Sequence, residues 1–410
     1  MTFSSFRLGD VLDIQWGDTN TTKASYVESG FLAYSAAGPD GFLAKYDYDQ
    51  EGVVLSAIGA NCGVTYFASG KWSCIKNTIR ILPNSSEIDI RFFYYLSTLP
   101  NFWPKRGSAQ PFISQTDIRD MEIAIPPMDA QLAVVRICKA LDEKKLVNDK
   151  LISVLEDAAH RLFQSWFVDF DPIHEKSMAS PSALKSSRHA SLFPDSFVDS
   201  ILGSIPKGWS VAKIGDVLDI RGGSTPSTSN SAFWGSNYRW TTPKDLSALT
   251  SLASLDSARK LTGDGLRKIK SGLLPKFSVL LSSRAPIGYV AITDEETATN
   301  QGIIGLGAHH SYSPLYLASW LLQNMQEIKS RAGGSSFAEI SKSSFKEIPF
   351  LVPDSGVTDE FSRLCKPMLE LIINLSNQNR LLEDLRVSLL KRLISGELVV
   401  PRGHGVENVT

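Results

Sequence analysis

Apolar positions along the chain follow two kinds of pattern, and the same pair of patterns runs twice. From Arg7 to about Ile125, short apolar runs are broken by Gly, Pro, Asn and Asp. The runs GVVLSAIG, GVTYFA and TIRILP are bounded by turn residues and predict short strands. IDIRFFYYLSTLP, from Ile88 to Pro100, predicts one helix among them. A later stretch repeats the plan, with strands at KFSVLLSS, YVAIT and GIIGLG and a helix at PLYLASWLLQNMQEIKS. Strands carrying one or two helices on an irregular sheet predict an α+β class rather than a doubly wound one.

The correspondence extends to residue identity. Leu8–Thr19 (LGDVLDIQWGDT) and Ile214–Thr225 (IGDVLDIRGGST) agree at eight of twelve positions, at an offset of 206. Val54, Leu55 and Ser56 return as Leu280, Leu281 and Ser282, and Gly107–Ile118 returns as Gly334–Phe345. IAIPP, ending at Pro127, returns as PFLVPD, ending at Asp354. A period this long is no solenoid unit; it marks two copies of a whole domain. Two related but diverged copies suit a bipartite target.

Each copy passes into a leucine-rich helical pattern. Leu364, Met368, Leu371, Leu375, Gln378, Leu382, Leu385 and Leu389 recur at alternating spacings of four and three. That is a heptad seam with one polar position. At an offset of 230 the matching positions are Val134, Cys138, Leu141, Lys145, Asn148, Ile152, Leu155, Ala159 and Leu162. Gln378 coincides with Asn148, and a buried polar pair at one seam position can fix a coiled-coil register. The seams predict that the two helices pair; the alternative is that each packs on its own domain. Pro367 is expected to kink or start the second helix. Between Asp171 and Lys207 the Ser-, Ala- and Pro-rich stretch predicts a linker, mobile over Ser177 to Ala190. The expected division is a first domain over 1–128, a helix over 129–170, a linker over 171–208, a second domain over 209–355, a helix over 356–398 and a tail over 399–410.

Composition narrows the class. A chain of 410 residues has room for two or three domains with cores of their own. No apolar run approaches the ~20 residues that span a bilayer, and MTFSSFRLGD lacks the regions of a signal peptide, so a cytoplasmic protein is expected. Cys62, Cys74, Cys138 and Cys365 have no CxxC spacing and are expected to be buried small hydrophobes. Net charge is −1, but residues 1–128 hold 10 Lys and Arg against 13 Asp and Glu, and residues 209–353 hold 15 against 11. Because affinity for DNA rests largely on phosphate neutralisation, the first copy would grip a duplex poorly without partners.

No catalytic constellation emerges. GIIGLG has the wrong spacing for a dinucleotide loop, and there is no phosphate-binding GxxxxGK[ST]. The six histidines form no HExxH, and Gly59–Gly63 (GANCG) does not match a nucleophile elbow around Cys62. Neither catalysis nor a metal site is expected of this chain.

Four segments, in order, carry a family resemblance. They are Ile113–Gln131 (ISQTDIRDMEIAIPPMDAQ), Leu162–Ile173 (LFQSWFVDFDPI), Pro206–Pro226 (PKGWSVAKIGDVLDIRGGSTP) and Leu389–Pro401 (LLKRLISGELVVP). Over nearly its whole length the chain resembles the specificity subunit of type I restriction–modification enzymes. The resemblance implies two target-recognition domains separated by two long antiparallel helices that form a coiled coil. Each recognition domain would read one half of a split site in double-stranded DNA. The helices would carry modification subunits, two of them expected, and through these the restriction subunits. S-adenosylmethionine, ATP and Mg would belong to those partners, with no cofactor in this chain. One departure is visible: Phe3 stands where the second copy has Trp209. Helices of roughly 30 to 38 residues would span about 45 to 57 Å, one to one and a half turns of B-DNA.

Base readout in the major groove favours Arg, Asn and Gln, with Ser, Thr and Lys in support, and loops flanking strands are where such residues are sought. In the first copy these are Ser35, Ser56, Asn61, Lys71, Arg106, Ser108 and Gln110. In the second they are Trp240, Thr241, Lys244, Ser282, Arg284, Asn300, Gln301 and Ser335. Turn or capping duty competes for each of them, Trp240 fits a core as well as a contact, and Phe92, Phe93, Tyr94 and Tyr95 read as core. The helix seam and partner surface is expected at Leu141, Asn148, Ile152, Leu155, Leu162, Leu371, Leu375, Gln378, Leu382, Leu385 and Leu389. Rival readings are a protein-binding scaffold, an orphan reader recruiting another enzyme, and a self-contained methyltransferase or nuclease. The missing cofactor loop and acidic cluster count against the last.

Overall fold

The computed structural model describes residues 3–178, 189–333, 338–395 and 397. The chain divides into one unit of residues 1–144 with 381–410 and another of residues 145–380.

In the first unit, Leu12–Trp16, Thr78–Pro83, Gly52–Ser56 and Thr65–Ala68 form an antiparallel sheet in that order. Thr78–Pro83 is a central strand, and its first five residues are buried. Its one charged residue, Arg80, is satisfied by Asp13 at 2.7 Å, as a buried guanidinium requires. A second sheet runs Gly38–Leu43, Phe31–Ser35, Lys71–Cys74, Tyr48–Asp49, with Phe31–Ser35 and Lys71–Cys74 parallel. Ser4–Arg7 pairs with Glu122–Ile125. The helix Ile90–Ser97 is capped by Asp89, which accepts from the backbone N–H groups of Arg91 and Phe92. The buried Gln131 side chain accepts from the Asp89 N–H at 2.8 Å and donates to the Glu87 and Pro126 carbonyls. Phe92, Phe93 and Tyr95 are core.

The second unit repeats the plan. Ile220–Gly222, Ile303–Leu306, Val279–Ser282, Val290–Thr293 and Ala253–Ser254 form one sheet in that order. Trp234–Gly235, Arg259–Leu261, Tyr238–Thr241 and Thr297–Thr299 form another, again with one parallel pair. Ser210–Lys213 pairs with Pro349–Val352 as Ser4–Arg7 does with Glu122–Ile125. The predicted single helix is two, Pro314–Gln323 and Met325–Ser330, with Asn324 between them.

The LFQSWF segment has a packing reason. Phe163, Trp166 and Phe167 share one aromatic core with Trp209, Tyr316 and Phe361, each buried ring contributing roughly 1.5–3 kcal/mol. Trp209 is buried there, whereas Phe3 is half-buried. The stretch read as a linker is structured at both ends. Asp171–Met178 is helical and Phe197–Ser200 pairs with Gly203–Pro206, because Ile173, Phe193 and Ile205 supply apolar anchors that reach the core. Most of the expected mobile segment lies outside the described residues.

Both long helices run 40 residues, Met128–Phe167 and Ser355–Ile394. Pro367 is therefore interior and does not start the second helix. Their pairing is antiparallel in each unit. In the first, Arg386 donates to Asp142 at 3.0 Å, and Val134 and Cys138 share a core with Leu390 and Leu393. In the second, Asn148 donates to Asn379 at 2.9 Å, and Phe163 meets Phe361. Asn148, Ile152 and Leu375 are buried as expected, and Leu141, Leu155, Leu162, Leu382 and Leu389 are half-buried. Two positions read as seam lie outside the buried stripe: Leu371 and Leu385 are 38% and 46% exposed. The buried line is instead Phe361, Cys365, Leu369, Ile372, Leu375, Asn379, Leu390 and Leu393. A helix that packs on a partner and on its own domain buries a face wider than a heptad seam, so the narrow repeat picked an adjacent stripe. For the same reason the polar partner of Asn148 is chiefly Asn379, with Gln378 at 3.5 Å.

Candidate nucleic-acid interface

In the first unit two loops are tied together by backbone bonds. Arg106 and Phe112 exchange N–H donations at 2.9 and 2.8 Å. The N–H of Gly59 donates to Pro111 and that of Ile113 to Ala57. Gly107 turns the 106–112 loop at a φ of +79°, where a Cβ would sit 2.7 Å from the Gln110 carbonyl oxygen. This brings Arg106, Ser108 and Gln110, all exposed, beside the loop that carries exposed Asn61. Asn61 donates to the Ala36 carbonyl at 3.2 Å, and with Lys23, Ser35 and Lys76 it lines a recess of about 310 Å³. Arg106 is ion-paired with Asp117.

The second unit reproduces this tie with other side chains. Gly333 and Glu339 exchange donations at 3.0 Å, and the Ile340 N–H donates to Ser283. Arg284 bridges to Glu339. Gly302 lies so close to its neighbours that a Cβ would fall 3.0 Å from the Pro243 ring and 3.1 Å from Arg284 Nε. Exposed Lys244 and Gln301 and half-buried Arg284 and Asn300 therefore belong to one patch. Thr225 Oγ1 donates to Gln301 Oε1 at 2.6 Å, and Asn300 accepts from the Gly302 N–H. Ser335 lies outside the described residues.

Several candidates are not free to meet a base. Ser35 is 3% exposed and donates to Asp40, which Lys23 and Tyr26 also engage. Burial opposes ionisation of Asp40, but those three hydrogen bonds outweigh it and hold the carboxyl below its ordinary range. Ser56 and Ser282 occupy equivalent buried strand ends. Ser282 Oγ donates to the Pro286 carbonyl and accepts from the Gly288 and Tyr289 N–H groups, which closes a turn. Thr241 is buried against Thr297, and Trp240 is core, its Nε1 donating to the Ser224 carbonyl. Lys71 is exposed but sits at the opposite end of its strand from Ile75 and Lys76, over the Tyr46 ring at 4.7 Å. For Ser35, Ser282 and Thr241 the cause is one: a hydroxyl that can read a base can equally serve a local hydrogen bond.

One feature of the surface escaped the sequence reading. Lys268, Lys270, Lys342 and Lys346 line a recess of about 840 Å³ together with Gly222 and Gly223. The sequence signals were two separate Lys pairs, Lys268 with Lys270 and Lys342 with Lys346.

The cysteines offer no nucleophile. All four are buried. Burial pushes the thiols of Cys74, Cys138 and Cys365 up to about 12. It also raises Cys62, partly offset by Lys105. Among the described residues, no group of His, Cys, Asp and Glu is arranged to hold a metal, and no helix is long and apolar enough to cross a membrane.

A repeated α+β domain with two like loop clusters, joined to antiparallel helices, is the architecture of a two-module recognition protein. The family described as type I restriction modification DNA specificity domain matches residues 2–157 and again 206–361, so the chain belongs to that family. The type I restriction enzyme MjaIX specificity subunit of Methanocaldococcus jannaschii is 34% identical over 197 residues, which is 48% of this chain and 46% of that protein. The type I restriction enzyme HindI specificity subunit of Haemophilus influenzae is 26% identical over 334 residues, 72% of each chain. The fold is that of a type I restriction–modification S subunit from M. genitalium, with a TM-score of 0.53, 14% identity and 96% of both chains covered.

Proposed function

We propose that this chain is the sequence-reading subunit of a type I restriction–modification complex and that its two domains each read one half of a two-part DNA site. The observation that carries the reading is the repeated loop tie. The tie presents Asn61, Arg106 and Gln110 in the first unit; in the second it holds Arg284, and Gly302, packed against Arg284 and Pro243, sets Gln301 and Lys244 beside it. Equal frames bearing unequal donors and acceptors suit two different half-sites. The long helices dock the modification subunits. Val147, Leu151 and Val154 support this, being 58%, 40% and 62% exposed on one helix face, since exposed apolar stripes mark interaction sites. Catalysis, with S-adenosylmethionine, ATP and Mg, belongs to the partners. The acidic balance of residues 1–128 fits partners that supply part of the phosphate grip.

Selection from a random duplex library, with and without modification subunits, tests this. The assembled complex should enrich two short motifs at a fixed gap, and the isolated chain should transfer no methyl group from labelled S-adenosylmethionine. A single uninterrupted motif, or methylation by the chain alone, would contradict the reading.

A further inference from the structure

The lysines that line the recess of the second unit are not repeated at the matching described positions of the first, where Gln115 and Arg119 stand for Lys342 and Lys346. Lys342 and Lys346 stand four apart on one short helix, so they share a face. Lys268 and Lys270 follow the helix Gly263–Leu266. Arg221, also in the lining, is held by Asp219 at 2.7 Å. No carboxylate lines the recess among the described residues, and all four lysines are exposed. Like charges gathered without counter-charge disfavour the fold, yet they concentrate anions at the surface.

The first copy shows that the architecture does not need these charges. By sequence offset, Trp16 stands at the place of Gly222, with Gln115 and Arg119 at those of Lys342 and Lys346. Gln115 Nε2 and Arg119 Nη2 both donate inward to the Ile14 carbonyl, at 2.6 and 2.8 Å. In the second copy a Cβ on Gly222 would fall 2.5 Å from Lys342 Cδ and 2.7 Å from its Nζ. The missing side chain is what admits the lysine. Ser224 lines the same recess, and its neighbour Thr225 donates to Gln301, so the recess borders the candidate reading patch.

We propose that this recess seats a phosphate of the DNA backbone beside the half-site of the second domain, an anchoring contact that the first domain lacks. The inference rests on the DNA-reading role proposed above. A free phosphate compound offers the same chemistry, and the experiment separates the two sources.

The full chain, assembled with modification subunits, is compared with K268Q/K270Q and K342Q/K346Q variants. Binding is measured across a salt series to a duplex holding the selected site and to a scrambled one, and inorganic phosphate is titrated separately. Each pair of substitutions should weaken both duplexes alike, by about tenfold, and flatten the log–log salt slope by about 1 to 2. Neutral methylphosphonates beside the second half-site should weaken the wild-type complex more than either variant. The thermal midpoint should hold or rise, since like charges are relieved, which excludes a folding defect. Selective wild-type binding with unchanged variant affinity and slope would overturn the inference alone. So would variants that lose only inorganic phosphate. A wild-type complex with no sequence preference would instead bring down the DNA-reading role itself.

Discussion

Glu156 shows how one side chain ties a long helix to its own domain. Its carboxylate accepts from the Leu252 N–H at 2.6 Å. Burial raises its pKa above the ordinary 4.5, Asp157 adds to the rise, and the Leu252 bond opposes it. An acid whose pKa rises on folding costs stability when ionised. The cost is absent below about pH 4.5, where both states are protonated, and grows as pH rises toward the folded value. Glu156→Gln keeps an acceptor for Leu252 and removes the charge. The variant should melt higher than the wild type at neutral pH, with the difference vanishing in acid; an equal gap at both pH values would contradict this. Residue roles of this kind were the least legible in the sequence. Ser282 and Thr241 have the chemistry of base readers, and only burial and partners show that they serve the frame; Ser56 is set apart by burial alone.

At the level of elements, apolar periodicity carried most of the fold. GVVLSAIG and TIRILP are strands, IDIRFFYYLSTLP contains a helix, and the heptad stretches are long helices. The face of the second helix was not recoverable, because its apolar residues fill adjacent stripes and only the packing chooses between them. The hairpin inside 171–208 was hidden by composition, since three apolar anchors suffice to fix a polar stretch. Two predictions belong here. Asn148→Ala leaves the buried Asn379 oxygen without its 2.9 Å donor, so stability should fall by about 1–3 kcal/mol in denaturant unfolding. Replacing both Asn148 and Asn379 with Leu removes the orphaned acceptor but also takes from Asp149 the donor it has in Asn379 at 2.6 Å, so the midpoint should recover only in part. Substituting Asp at both Val147 and Val154, each more than half exposed, should leave the melting temperature within about 1–2 °C, since surface changes seldom exceed ~0.5 kcal/mol. Association with modification subunits should weaken at least about tenfold, the effect of ~1.4 kcal/mol. Full association by pull-down would place the docking face elsewhere.

For the whole molecule, the strongest sequence signal was repetition, and the structure carries it from matched words to matched sheets and loop ties. What the repeat could not reveal is where the copies diverge in chemistry. The lysines of the second copy come from segments far apart in sequence, and only folding brings them to one recess. The central claim is that two like frames read two unlike half-sites independently. Exchanging residues 209–353 for the equivalent region of a relative with a different site, followed by duplex selection with the assembled complex, tests it most directly. The exchanged protein should select a site in which one half is new and the other unchanged. A site altered in both halves, or in neither, would contradict the account.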